Sequence, residues 1–168
     1  GITDGFDIVI GNPPYVRQEK IRDQKPLLQR QYTCYTGTAD LYVYFFERGL
    51  ELLRTGGVLT YICSNKYFRA AYGGKLRTYL AGETRIRQLI DFGDEPVFTA
   101  IAYPSIIITQ RGERGRSQAD NPVRVYTWPN GAPLNEFAAA FQAAGFDMAQ
   151  SELTADGWRL ENDAVLRL

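Results

Sequence analysis

The sequence predicts an α/β fold, half of a doubly wound sheet with an antiparallel hairpin at its edge, and three observations carry that expectation. Short β-branched runs such as Ile8-Val9-Ile10 have no polar face, as expected of a parallel strand covered on both sides. Helix-like stretches alternate with these runs, and parallel strands joined through helices require right-handed crossovers. The last two strong apolar runs have no helix between them, which fits an antiparallel pair.

Taken in order, Phe6 to Ile10 is the first strand. The polar segment Arg17 to Thr38 reads as a somewhat basic loop, carrying Arg17, Lys20, Arg22, Lys25 and Arg30. Thr38 or Asp40 can cap a helix over about Leu41 to Arg54, with Gly56-Gly57 as its stop. Val58 to Cys63 is a second buried strand, after which Ser64 or Asn65 can cap a helix over about Lys66 to Ala81, interrupted at Gly73-Gly74. Ile86 to Phe92 and Ala102 to Gln110 are the third and fourth strands, and the short connection between them makes the edge hairpin. Beyond Arg111 the chain turns polar, with a short strand at Val123 to Trp128 and a small amphipathic helix at Leu134 to Ala144. The expected division is residues 1–111 as the body, and 112–168 as a linker and lead-in to a further domain, with Trp158 and Leu160 in the approach.

Composition narrows the function classes. A chain of 168 residues with 45% hydrophobic content can build one real core. Lys plus Arg and Asp plus Glu each number 19, so no overall basic field announces nucleic acid and charge must be read locally. Cys34 and Cys63 have neither metal-ligand spacing nor the density of a disulfide scaffold, and read as reduced thiols of a cytoplasmic protein. No signal peptide or membrane-spanning run appears. With 0 histidines, a Ser-His-Asp triad or histidine-bound zinc is excluded, and no metal is expected.

The motif that carries chemistry is Gly11-Asn12-Pro13-Pro14-Tyr15, entered directly from the first strand. Ligands of open α/β sheets sit outside the carboxyl ends of strands, where Asn12 stands. Consecutive prolines fix φ, remove N–H donors and bias each preceding residue to extended geometry, so carbonyl directions are set in advance. Asn and Pro are also ordinary turn formers. The strand in front and the pattern downstream favour the functional reading, and a polyproline ligand would not follow directly from a core strand.

These residues resemble the catalytic loop of amino methyltransferases, which transfer a methyl group from S-adenosylmethionine to the exocyclic nitrogen of adenine. With Asp40-Leu41-Tyr42, Asp91-Phe92-Gly93-Asp94-Glu95-Pro96-Val97-Phe98 and Tyr103-Pro104-Ser105 in view, the chain is similar to the C-terminal half of a gamma-class adenine-N6 DNA methyltransferase of Type II restriction–modification systems, especially the single-chain Type IIG kind. The resemblance implies a class I S-adenosylmethionine-dependent methyltransferase sheet. It implies that the Asn12 side chain and the Pro13 carbonyl accept the two N6 hydrogens, with Pro14 completing the corner. By the same resemblance Tyr15 would stack on the extruded base, Phe98 would pack against it, and Asn12 would also touch the cofactor. Double-stranded DNA with a flipped adenine is the implied partner. Arg17, Lys20, Arg22, Lys66 and Arg69 are candidate phosphate contacts, although Glu19 and Asp23 among them dilute the charge.

The family's Gly-rich cofactor loop and ribose-gripping acidic residue have no counterpart before Asn12. A fragment that relies on the rest of its parent chain for the cofactor half, the recognition domain and any nuclease is therefore expected, inactive alone and with one long strand edge exposed. The rival readings are an RNA or protein-glutamine amino methyltransferase, which shares the motif, and a non-catalytic nucleic-acid-binding module.

Overall fold

The computed structural model describes residues 5–95, 97, 103–113, 118–129 and 131–161. Its strands are β1 (Phe6–Gly11), β2 (Leu53–Ser64), β3 (Thr84–Asp91), β4 (Pro104–Arg111), β5 (Pro122–Thr127) and β6 (Phe146–Ala149). They form one 6-stranded sheet in the order β1-β2-β4-β3-β5-β6. The α-helices are α1 (Lys25–Gln31), α2 (Tyr42–Leu52), α3 (Gly74–Glu83) and α4 (Phe137–Ala144). β1 pairs parallel with β2 and β3 parallel with β5, whereas β4 runs antiparallel between β2 and β3, and β6 antiparallel to β5. The carboxyl ends of β1, β2, β3 and β5 and the amino end of β4 therefore meet along one edge of the sheet.

The mixed α/β architecture and the β3–β4 hairpin are as expected, but the hairpin is not at the edge. β4 is inserted between β2 and β3, and β5 and β6 continue the sheet beyond it. Residues read as linker are thus integral to the sheet. Asn121 and Gln150, both buried, stitch them in. Asn121 Nδ2 donates to the Ile86 carbonyl at 2.6 Å, and Gln150 Nε2 donates to the Thr84 carbonyl at 2.7 Å. Trp158 is fully buried, with its ring 5.7 Å from those of both Phe68 and Tyr67, and its backbone N–H donates to the Phe68 carbonyl at 2.8 Å.

Local boundaries shift for identifiable reasons. Residues 17–38 are not simply loop: a 3-10 segment at Gln18–Gln24 leads into α1, whose Pro26 suits a first helical turn. Neither Thr38 nor Asp40 caps α2, since the N-cap is Leu41 without a side-chain bond, and Asp40 Oδ1 instead accepts from the Gln18 backbone N–H at 3.0 Å. The glycines do not stop the helix, because Leu53 is already in β2 and Gly56-Gly57 lie within that strand. A Cβ on Gly57 would stand 2.8 Å from the Phe6 carbonyl oxygen, so glycine is what lets β1 approach β2 there. After Ser64, which does cap as expected by accepting from the Lys66 N–H at 3.3 Å, the chain makes 3-10 turns at Asn65–Phe68 and Ala71–Gly73 and becomes α-helical only at Gly74. The buried Arg77 holds these turns by donating to the Tyr67 carbonyl at 2.6 Å and to the Ala155 carbonyl at 2.9 Å.

The main core includes Phe46, Leu59, Tyr67, Leu80, Leu89, Ile107, Val125 and Trp158. On a second cluster, Ile90, Phe92, Tyr126 and Trp128 pack with Phe137 and Phe141 of α4. β1 corrects the expectation of a strand covered on both faces. Val9 leans on the main core, but Phe6, Ile8 and Ile10 are 46%, 65% and 78% exposed. β1 is the terminal strand of this sheet, so its outer edge and one apolar face lie open.

Burial of acidic side chains gives a pH prediction. Burial pushes the Cys63 thiol from the ordinary 9.0 up to about 12, and the Cys34, Tyr42 and Tyr67 groups are raised for the same reason. A raised folded-state pKa stabilises the fold fully below the unfolded value, and that stability is lost as pH rises through the folded one. Stability should therefore hold up to about pH 9 and fall steadily above it. Urea midpoints measured from pH 7 to 11 check this, and both thiols should resist alkylation until the chain unfolds.

Candidate active-site edge

β1 ends at Gly11, paired with Tyr61 of β2, and the chain then turns through Asn12 to Tyr15 at the carboxyl edge. Pro13 is buried and anchors the corner, while Asn12 and Pro14 are exposed. The Val16 N–H donates to the Pro14 carbonyl at 3.0 Å, and the Leu41 N–H donates to the Val16 carbonyl at 2.9 Å. Together with the Asp40–Gln18 bond, these contacts fasten the loop to the residues that open α2. Asp40 is thus a support for the corner rather than a helix cap. A sequence reading had only its capping propensity to go on.

The turn consumes the Pro14 carbonyl and leaves that of Pro13 outside it. Among the described residues, none hydrogen-bonds the Asn12 side chain. The corner therefore holds acceptor oxygens for which no described residue supplies a donor. Tyr15 is 39% exposed, and its phenol is raised to about 12, first by desolvation and then by Cys63 near the end of β2. Tyr15 consequently stays neutral across the physiological range and offers an uncharged aromatic face.

The candidate cations follow two neighbouring strand ends. Arg17, Lys20 and Arg22 are exposed at the start and along the 3-10 segment after the Tyr15 corner, and Lys66 and Arg69 are exposed on the turn after β2. Parallel pairing of β1 and β2 puts both groups on the same edge of the sheet. Lys66 and Arg69 stand on and just after a 3-10 turn, not at the start of an α-helix. Phe98 lies outside the described residues.

The structure adds a tether that the sequence did not single out. Asn65 Nδ2 donates to Asp91 Oδ1 at 2.7 Å, the Gly93 N–H donates to the same oxygen at 2.9 Å, and the Asn65 N–H donates to the Tyr103 carbonyl at 2.7 Å. These bonds lock together the ends of β2 and β3 and the start of β4. The two bonds made by Asn65 join partners 26 and 38 residues apart along the chain, so the pairing of β4 between β2 and β3 is what brings them together. Among the described residues there is no group of acidic, cysteine or histidine side chains that could hold a metal ion, and no helix is long and apolar enough to cross a membrane.

Known proteins resemble this chain in sequence and in fold. A family model described as Eco57I restriction-modification methylase matches residues 1–98. The Type II methyltransferase M.PaeR7I of Pseudomonas aeruginosa is 40% identical over 118 residues, covering 67% of this chain and 20% of that protein. The Type II methyltransferase M.BstVI of Geobacillus stearothermophilus is 41% identical over 106 residues, covering 61% of this chain and 19% of that protein. A solved structure from Listeria monocytogenes, described as a class I S-adenosylmethionine-dependent methyltransferase, superposes with a TM-score of 0.62 at 18% identity, over 85% of this chain and 44% of that one. The chain spans about a fifth of the length of the curated relatives it matches. With a class I methyltransferase sheet and a family match that takes in the Asn12 to Tyr15 corner, the chain belongs to the Eco57I restriction-modification methylases.

Proposed function

We propose that this chain supplies the substrate-amine corner of an adenine-N6 DNA methyltransferase in a restriction–modification enzyme, with S-adenosylmethionine as donor. The observation that carries the reading is the fastened Asn12-Pro13-Pro14-Tyr15 corner, whose Asn12 amide is exposed and bonded to no described residue. An aromatic amine is a weak nucleophile because its lone pair is delocalised into the ring. The Asn12 carbonyl oxygen and the Pro13 carbonyl accept the two N6 hydrogens, which favours a tetrahedral nitrogen with its lone pair aimed away from the ring. Acceptors held in place before substrate arrives spend no reorganisation energy at the moment of reaction. Tyr15 stacks on the extruded base, a contact worth about 1–3 kcal/mol in single-strand binders.

When bound, S-adenosylmethionine supplies a methyl group already activated on a sulfonium. The nitrogen–carbon bond forms as the carbon–sulfur bond breaks, its electron pair stays on sulfur, and the displaced N6 proton leaves to water. The corner's acceptor oxygens suit the substrate amine, and the one cofactor contact assigned here is Asn12. The main cofactor grip, the recognition domain and any nuclease belong to other parts of the longer protein. The open edge and apolar face of β1, with Ile8 and Ile10 uncovered, support that division, since further strands would pair with the edge and helices packed on the sheet would cover the face. Arg17, Lys20, Arg22, Lys66 and Arg69 meet phosphates along the edge, and the enzyme works in the cytoplasm.

The test is labelled methyl transfer by the full-length protein offered DNA, RNA and protein, with products identified by mass spectrometry. N6-methyladenine in DNA is expected. Label in RNA or in glutamine would keep the mechanism and overturn the substrate, and no transfer by a protein that still binds DNA would leave only a binding module.

A further inference from the structure

Beside the Asn12 corner, the same edge of the sheet holds a cleft of about 490 Å³, where Asn65, Lys66, Arg69, Asp91 and Tyr103 come together. Tyr103 sits at φ 45°, a left-handed conformation that is rare for a bulky residue and persists only where the surroundings impose it. At this position the Asn65 N–H donates to the Tyr103 carbonyl, and the Asn65–Asp91 bond continues the contact. The result is an aromatic ring still 36% exposed, with the Lys66 ammonium 5.7 Å from its centroid. Asp91 is only 4% exposed, and both described donors, Asn65 Nδ2 and the Gly93 N–H, use Oδ1. Among the described residues, none donates to its Oδ2.

We propose that this cleft is a subsite for a second nucleotide of the substrate DNA, a neighbour of the methylated adenine, whose base stacks on Tyr103 and donates an amine hydrogen to Asp91 while Lys66 and Arg69 take the adjoining phosphate. The inference rests on the methyltransferase reading above. β4 lies two strand spacings from β1, each about 4.8 Å, so the cleft is roughly 10 Å along the edge from the corner, a distance a neighbouring nucleotide can bridge. The lysine now over the ring is long and flexible, so it can swing from the aromatic face to a phosphate and yield that face to a base. A carboxylate acceptor beside the ring gives the subsite a preference for bases that carry an exocyclic amine. Asp94 offsets part of the cationic charge, which makes stacking and the Asp91 contact the larger share of recognition.

The test uses the full-length protein and a duplex containing its own methylated site, located by mapping methylated adenines in DNA from cells that express it. Affinity is measured for the intact duplex and for a series in which one nucleotide at a time near the target is replaced by an abasic site. Tyr103→Leu should bind the intact duplex about tenfold more weakly than the unaltered protein. It should show no deficit on the duplex that is abasic at the position served by the cleft. Tyr103→Phe should bind like the unaltered protein, and Asp91→Asn should relax base preference at that same position. An equal deficit on every duplex, no deficit on any, or a loss of cofactor affinity in its place overturns the subsite. Thermal melting of each variant separates these results from misfolding. If the unaltered protein makes no methyladenine, the methyltransferase reading itself fails. If it does so and Tyr103→Leu shows no position-dependent deficit, the subsite alone fails.

Discussion

Asn12→Ala should lower methyl transfer by the full-length protein about 10²–10³-fold while leaving its stability within about 0.5 kcal/mol. Both halves follow from the same geometry. The side chain is exposed and bonded to no described residue, so the fold loses nothing when it is removed. The reaction loses one of two acceptors that localise the amine's lone pair, an interaction that strengthens only as the nitrogen becomes tetrahedral. The deficit should therefore appear in kcat at saturating DNA and cofactor rather than in KM. Asn12→Asp keeps an acceptor oxygen at the same place and should recover part of the rate. Steady-state kinetics of the two variants, with a thermal melt for each, check the prediction. Normal kcat in Asn12→Ala would remove the corner from the mechanism.

Trp158→Ala should destabilise the fold by about 3–5 kcal/mol and lower Tm by about 10 °C. The indole is fully buried against Phe68 and Tyr67, and the backbone beside it is tied to the Phe68 carbonyl. Truncation removes a large apolar contact and leaves a cavity under the turn that carries Lys66 and Arg69. Activity should fall as well, because that turn is part of the sheet's carboxyl edge. Trp158→Phe should cost far less, since the stacking survives and the Nε1–H it deletes is buried with no partner among the described residues. A tail leading to another domain would tolerate either change, so calorimetry of the two variants decides whether residues 122–160 belong to this fold in solution.

Residues 122–127 show what a strand pattern leaves open. Val123 to Trp128 was legible as a strand, but a strand announces its period and not its partner. Pairing of β5 with β3 depends on which edge remains open once β4 has entered the sheet, and β4's place is set by contacts with β2 and β3 together. Ile8 and Ile10 are left open for a related reason. An unbroken apolar run says that both faces prefer cover, and the fold of this chain covers only the Val9 side.

The sequence by itself determined the alternation of strands and helices, the antiparallel β3–β4 pair, the family, and the Asn12-Pro13-Pro14-Tyr15 corner, because each is written in contiguous residues whose conformational restrictions are local. Tertiary structure alone decided that β4 sits inside the sheet, that Asp40 braces the corner, and that Asn65, Asp91 and Tyr103 meet at one cleft. Those outcomes rest on hydrogen bonds between strand ends far apart in the chain. Such bonds form only after the hydrophobic core has chosen the strand order, and no local pattern encodes that choice.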